Sequence, residues 1–251
     1  MITEWTWEPD DFAALWLSPS NDRFPDPLRF TSRFAYRDDF DAHKATVRER
    51  YSPEELEEIQ LALHTLTTST LRIQILGGTT QHENPNGGVH VYRIVGARTD
   101  EYAMSLAQAT FGDTNGPIRC RLFPSAHLPA QLVSCLPPCK PGTQPPAAYP
   151  SHPNSTTPHE RYQRLLHRPA DGGGSALLYT APIKTPTKPH TTIQWHDITN
   201  DGRYTAHPPT IHPTTPTNLT TLFNTWTSDH VETMAASPEK PPPPVPPDLD
   251  R

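Results

Sequence analysis

Apolar residues along this chain recur with two periods, and each change of period marks a new element. Trp5 and Trp7 flank polar Thr6, an alternation that predicts a short first strand. From Pro9 the spacing changes: Phe12, Leu15 and Trp16 fall at i, i+3 and i+4, the stripe of a helix that Pro9 opens. Residues 18–35 carry no period. Residues 37–50 are charged and predict a helix with Phe40 and Val47 on one face. Ser52-Pro53-Glu54-Glu55 combines three helix-start signals: Ser52 as N-cap, Pro53 at the first helical position, and Glu55 to close a capping box. Leu56, Ile59, Leu63 and Leu66 continue that helix as an apolar stripe.

A run of strands is predicted next. Residues 70–76 alternate through Leu71, Ile73 and Ile75, and residues 88–97 are apolar on both faces. Residues 101–111, with Tyr102, Met104 and Leu106, fit a third strand, with a helix as the alternative. Asp113-Thr114-Asn115-Gly116 reads as a turn, and residues 117–123 alternate through Ile118, Cys120 and Leu122. Ser125 starts a helix through Leu128, Leu132 and Leu136, in which Pro129 is tolerated because it falls in the first turn.

Residues 137–157 are Pro-rich with almost no apolar anchor and read as a linker or mobile loop. A short helix from His159 to Arg168 follows, and Gly172-Gly173-Gly174 reads as a flexible joint into a strand at 175–181. The β-branched run Thr191-Thr192-Ile193 leads to Trp195, and Asn200-Asp201-Gly202 is a hairpin turn signal before Tyr204, because these residues tolerate positive φ. Thr215-Pro216 caps a last helix with Leu219, Leu222, Phe223 and Trp226 on one face.

Helix, strands, helix thus occurs twice, at 52–136 and at 158–234. The expected fold class is α+β: a central antiparallel sheet flanked by helical bundles, in two pseudo-symmetric halves. The expected organisation is an N-terminal half at 1–136, a Pro-rich linker at 137–157, a C-terminal half at 158–236 and a disordered Pro-rich tail at 237–251.

Composition narrows the function. The chain has 251 residues, 34% of them hydrophobic, with 32 prolines; its mean hydropathy is −0.64. That pattern suits long polar loops around a modest core. A net charge of −6 with no Lys/Arg run argues against nucleic acid as partner. No apolar stretch reaches the length of a membrane span, so membrane insertion is not expected. The opening Met1-Ile2-Thr3-Glu4-Trp5 lacks the basic and apolar regions of an export signal. Three cysteines, Cys120, Cys135 and Cys139, fit free thiols in a reducing compartment.

The candidate chemical motifs each fail on a specific position. His159-Glu160 would open a zinc-protease helix, but position 163 is Gln where the second His is needed. Asp197 to Gly202 has the odd-numbered acids of a calcium loop, but the closing acid would fall at Pro208. Gly172-Gly173-Gly174 lacks the Lys-Ser/Thr of a phosphate loop. Neither catalytic residues, nor a cofactor, nor a metal site is expected. Trp16, Trp195, Tyr204 and Trp226 read as structural residues.

The two ends of the chain carry a resemblance. Trp7, Asp11, Phe12, Leu15 and Trp16, followed by Pro27-Leu28, resemble the opening of the ESX secretion-associated EspG family. Trp195, Asp197, Asp201, Gly202, Arg203 and Tyr204, before a Leu-rich terminal helix, resemble its closing block. The resemblance implies a cytosolic chaperone of type VII secretion, not an enzyme, that holds the apolar tip of a PPE protein in a PE–PPE pair. It further implies contacts from the sheet, the C-terminal helices and a loop between the second and third strands. Here that loop is Gly77 to Gly88, whose polar residues Thr79, Thr80, Gln81, His82, Glu83, Asn84 and Asn86 are the expected partner contacts. The alternatives are an adaptor that recruits a partner through its Pro-rich tail and, behind it, an enzyme with a dispersed active site.

Overall fold

A computed structural model describes residues 2–81, 88–148, 164–165, 167–207 and 210–236. Strands β1 (Thr3–Trp7), β2 (Leu71–Thr79), β3 (His90–Arg98), β4 (Tyr102–Phe111), β5 (Thr114–Pro124), β6 (Ala147–Ala148), β7 (Ala170–Tyr179), β8 (Thr191–Ile198), β9 (Gly202–His207) and β10 (Thr210–Pro213) join in one sheet. Their order is β1-β5-β4-β3-β2-β7-β8-β9-β10-β6, and every pairing is antiparallel. Five helices accompany it among the described residues: α1 (Pro9–Trp16), α2 (Arg37–Arg48), α3 (Pro53–Thr68), α4 (Leu128–Ser134) and α5 (Pro216–Ala236). The protein is therefore α+β with a central antiparallel sheet.

Local chemistry accounts for the helix ends. In α3 the Ser52 hydroxyl accepts from the Glu55 N–H at 3.2 Å while the Glu55 carboxylate accepts from the Ser52 N–H at 3.1 Å, so two otherwise orphaned donors are satisfied at once. Thr215 and Asn218 do the same at the start of α5, with Thr215 Oγ1 accepting from Asn218 N–H and Asn218 Oδ1 accepting from Thr215 N–H. Pro9 and Pro53 occupy first-turn positions where no N–H is needed.

Strand alternation splits the sheet into two unlike faces. On one, Leu71, Ile73 and Ile75 of β2, Tyr92 and Ile94 of β3, Ala176 and Leu178 of β7, and Ile193 and Trp195 of β8 are covered by Leu128 and Leu132 of α4 and by Leu219, Phe223 and Trp226 of α5. On the other, Val95, Met104, Leu106, Ile118 and Cys120 are covered by Phe12 and Trp16 of α1 and by Ile59, Ala62 and Leu66 of α3. A third, smaller cluster gathers Ala147, Leu165, Ile198, Tyr204, Ala206 and Ile211 on the far strands.

Several local expectations change in the fold. Residues 102–111 form the expected strand and not the alternative helix, because both neighbours supply a ladder. The turn before β5 is at Gly112-Asp113, with Gly112 at φ 58°, and Thr114–Gly116 already belong to the strand. Gly172-Gly173-Gly174 is no joint: it lies inside β7, between β2 and β8. A side chain at Gly174 would place its Cβ 2.6 Å from the Trp195 ring, so the glycine is what lets the indole lie flat on the sheet. Trp195 sits in mid-strand, opposite Thr205. The helix expected over 159–168 falls largely outside the described residues, with Arg164 and Leu165 helical within them. The Pro-rich tail from 237 also lies outside the described residues.

Candidate partner-binding surface

The two N- and C-terminal motifs prove to be fasteners. Trp7 donates from Nε1 to Tyr51 Oη at 2.8 Å, and Trp16 donates from Nε1 to the Arg23 carbonyl at 2.7 Å. The Asp11 carboxylate lies 2.8 Å from His43 Nε2 and 2.7 Å from Arg50 Nη1, tying α1 to α2. At the other end, Arg203 grips Asp197 with two bonds across β8–β9 and also donates to the Pro137 carbonyl at 3.1 Å. Asp201 accepts from the Thr143 N–H at 2.7 Å and its hydroxyl at 2.8 Å, from Tyr204 Oη at 3.0 Å, and from Arg168. The described part of the Pro-rich segment, residues 137–148, is thus laced onto the β8–β9 hairpin, and Gly142 passes directly over the Tyr204 ring. Trp16, Trp195, Tyr204 and Trp226 are all buried.

Among the described residues, what is left uncovered lies in the middle of the sheet. The face bearing α1 and α3 at one end and the small third cluster at the other is open between them. There the even-numbered positions of β2 reach Leu76, which is 44% exposed, and register sets Leu76 between Arg93 of β3 and Ser175 of β7. Val89, 53% exposed, packs over Gly78 from the start of β3. Val91 and Leu177 are half-buried on the same face, and Gln194 of β8 is exposed. Both walls of the sheet at this point are glycine, Gly78 beside Gly173, so the floor is bare backbone. Farther along β2, Arg72 and Gln74 line a cavity of about 570 Å³ together with Trp16, Phe24, Tyr179 and Lys184. An apolar strip with a polar surround is the composition of a protein-binding patch.

The expected loop contacts are placed only in part. β2 runs three residues further than its apolar pattern, through Gly77, Gly78 and Thr79, because both β3 and β7 pair with it there. Thr79 is consequently buried at the strand end, and its hydroxyl accepts from the Gln81 N–H at 3.1 Å. Thr80 is exposed and donates from both N and Oγ1 to the Asp171 carbonyl. Gln81 is exposed. His82, Glu83, Asn84 and Asn86 lie outside the described residues. Leu76 and Leu177 were not singled out by sequence reasoning; the signal that finds them is the phase of the alternation, which has meaning only once the covering helices are known.

The surface has little of a catalytic centre. Among the described residues no group of three or more His, Cys, Asp or Glu side chains could hold a metal ion. Cys120 is fully buried and its thiol is pushed well up by desolvation. Cys139 is raised to about 11, by burial first and then by the neighbouring Asp197 carboxylate, so it carries no thiolate at neutral pH. No described helix is long and apolar enough to cross a membrane.

The fold defines an α+β protein built on one central antiparallel sheet. Residues 8–222 match the model of the EspG family, and the chain belongs to that family of ESX secretion-associated chaperones. A search of curated proteins returns no match.

Proposed function

We propose that this protein is a cytoplasmic chaperone that binds the apolar tip of a PPE-type client within a PE–PPE pair and keeps it soluble until export. The observation that carries the reading is the open strip at Leu76, Val89, Val91 and Leu177 in the middle of an otherwise covered sheet. Exposed apolar side chains on a flat, glycine-floored surface lose contact with water when a client's apolar residues dock, at about 25 cal/mol per Å² buried. The polar loop after β2 would close over the docked tip, with Thr80, Gln81, His82, Glu83, Asn84 and Asn86 as hydrogen-bonding contacts and Thr79 as the buried base of the loop. Enzymatic activity has no place in this reading.

The two halves, 1–136 and 158–236 joined through 137–157, are proposed to be related by a pseudo-twofold axis. The strand order supports this. In the first half the initial strand β1 is at the edge and β5, β4, β3 and β2 run inward; in the second β10, β9, β8 and β7 run inward, with β6 of the joining segment beyond β10 at the edge. Each half then ends in a helix, α4 or α5, and the two pack side by side on one face.

Isothermal titration of the purified chain against a co-expressed PE–PPE pair tests the function. Binding at low-micromolar affinity or better is expected. Absence of binding to every cognate pair would overturn the assignment.

A further inference from the structure

The open face carries charge as well as apolar surface, and beside Leu76 that charge comes from two arginines. Arg93 projects from β3 on the same face as Leu76 and pairs with it in register. Its Nη1 donates to Thr110 Oγ1 at 2.6 Å, and that hydroxyl donates in turn to Asn115 Oδ1 at 3.3 Å, so the guanidinium is held in one place. Arg29 arrives from the segment between α1 and α2. Its main chain is clamped by Gln108, the register partner of Arg93 on β4: Gln108 Oε1 accepts from Arg29 N–H at 2.8 Å, and Gln108 Nε2 donates to the Arg29 carbonyl at 2.9 Å. Gln108 is itself buried and also donates to the Gly116 carbonyl at 3.2 Å. The clamp brings Arg29 beside Arg93, and partial burial together with the charge of Arg29 disfavours the charged form of Arg93.

Neither arginine makes an ion pair among the described residues, although the chain has 27 acidic residues against 21 basic ones. Other arginines of the fold do have carboxylates: Arg203 has Asp197, Arg168 has Asp201, Arg50 has Asp11 and Arg121 has Glu4. Two cations held together without an anion repel each other, and the repulsion is relieved when an anion is placed between them. A guanidinium already fixed by Thr110 loses little rotamer freedom on binding, which favours a planar, bidentate acceptor.

We infer that Arg29 and Arg93 form a receptor for a carboxylate of the bound partner, set beside the apolar contact at Leu76. The partner is thus an apolar tip that presents an Asp or Glu next to its apolar residues. The inference rests on the reading of this face as the client site. The net charge of −6 gives no long-range attraction for an acidic partner, so the recognition is local and decides orientation on the patch.

The test is titration of a co-expressed PE–PPE pair with wild type, Arg29→Gln, Arg93→Gln, Arg93→Lys and the double Gln variant, at about 50 and about 300 mM salt. The Arg29 side chain is exposed and makes no side-chain bond among the described residues, so Arg29→Gln leaves the fold intact, and thermal melts check the others. Wild-type affinity should fall with salt. Each Gln variant should bind roughly tenfold more weakly at low salt, Arg93→Lys should lose less, and the double variant should be nearly insensitive to salt. Full affinity with an unchanged salt dependence in both Gln variants, while wild type binds, overturns the receptor and leaves the client site standing. No binding by wild type removes the client reading and the receptor with it.

Discussion

Asp197 and Arg203 stand opposite each other across the β8–β9 hairpin, joined by bonds of 2.7 and 2.8 Å, and each side chain is 3% exposed. The Trp195 ring centre lies 6.0 Å from the same guanidinium. A charge pair this deep owes its place to its geometry: both carboxylate oxygens and two of the guanidinium nitrogens are satisfied. Removing one partner leaves the other buried and uncompensated. Asp197→Ala should therefore destabilise by about 3–5 kcal/mol, whereas Asp197→Leu with Arg203→Met should recover much of that loss. Urea unfolding of the two variants measures the difference. Equal losses in both would show that the charges are not what the hairpin depends on.

Asp201 predicts an acid-dependent stability. Burial favours its neutral form, but the bonds from Thr143, Arg168 and Tyr204 outweigh burial and hold its pKa down to about 2. The folded protein thus binds fewer protons here than the unfolded chain between roughly pH 4 and pH 2, so this contribution is complete above the unfolded value and is lost as pH falls toward the folded one. Melts from pH 6 down to pH 2 on wild type and Asp201→Asn should show the gap between them narrowing below pH 4. A constant gap would mean that the carboxylate charge contributes nothing.

Gly174 predicts a packing penalty. A Cβ there would meet the Trp195 ring at 2.6 Å and the Leu76 carbonyl at 2.9 Å, so Gly174→Ala must displace a buried indole or the ladder. The expected cost is about 1–3 kcal/mol. Trp195→Ala should cost about 3–5 kcal/mol, from an indole that is 1% exposed. Thermal melts read both, and in the double variant the two losses should not add, because removing the indole removes the clash. Strict additivity would place Gly174 outside the Trp195 contact.

Leu76 and the loop after β2 give the binding counterpart. Leu76→Asp changes an exposed side chain and should alter stability by less than about 0.5 kcal/mol. It should nonetheless weaken client binding by roughly tenfold or more, because a carboxylate would have to be desolvated against an apolar tip. Shortening 82–87 should weaken binding while β2 and β3 keep their pairing through Thr79 and His90. Titration with the PE–PPE pair decides each one separately: unchanged affinity in either variant takes that feature out of the site.

Much of the fold was legible because its causes are local. Pro9, the Ser52–Glu55 box, the Phe12–Trp16 stripe and the Asn200-Asp201-Gly202 turn, with Asn200 at φ 59°, each act within a few residues of sequence. The alternation of Leu71, Ile73 and Ile75 likewise states that one face of β2 is buried. The glycines misled the reading. Gly77, Gly78 and Gly172–Gly174 look like loop residues by propensity, yet Gly77 pairs with Gly174, Gly78 with Gly173 and Gly172 with Thr79 in the middle of the sheet. Cross-strand ladders and the need for room beneath Trp195 overrode the local preference.

Sequence alone therefore determined most helices and central strands, the helix caps and the family. Only the tertiary structure decided that β2 meets β7, which makes ten strands one sheet, and that helices from distant parts of the chain cover one side of its middle and leave the other bare. That bareness is a property of no single segment. Leu76 and Arg93 become a surface because none of the described elements packs over them, and Arg29 joins them because Gln108, 79 residues away, clamps its main chain. Periodicity records which side chains avoid water within one element; which faces stay open depends on contacts between elements, and those are set by packing in three dimensions.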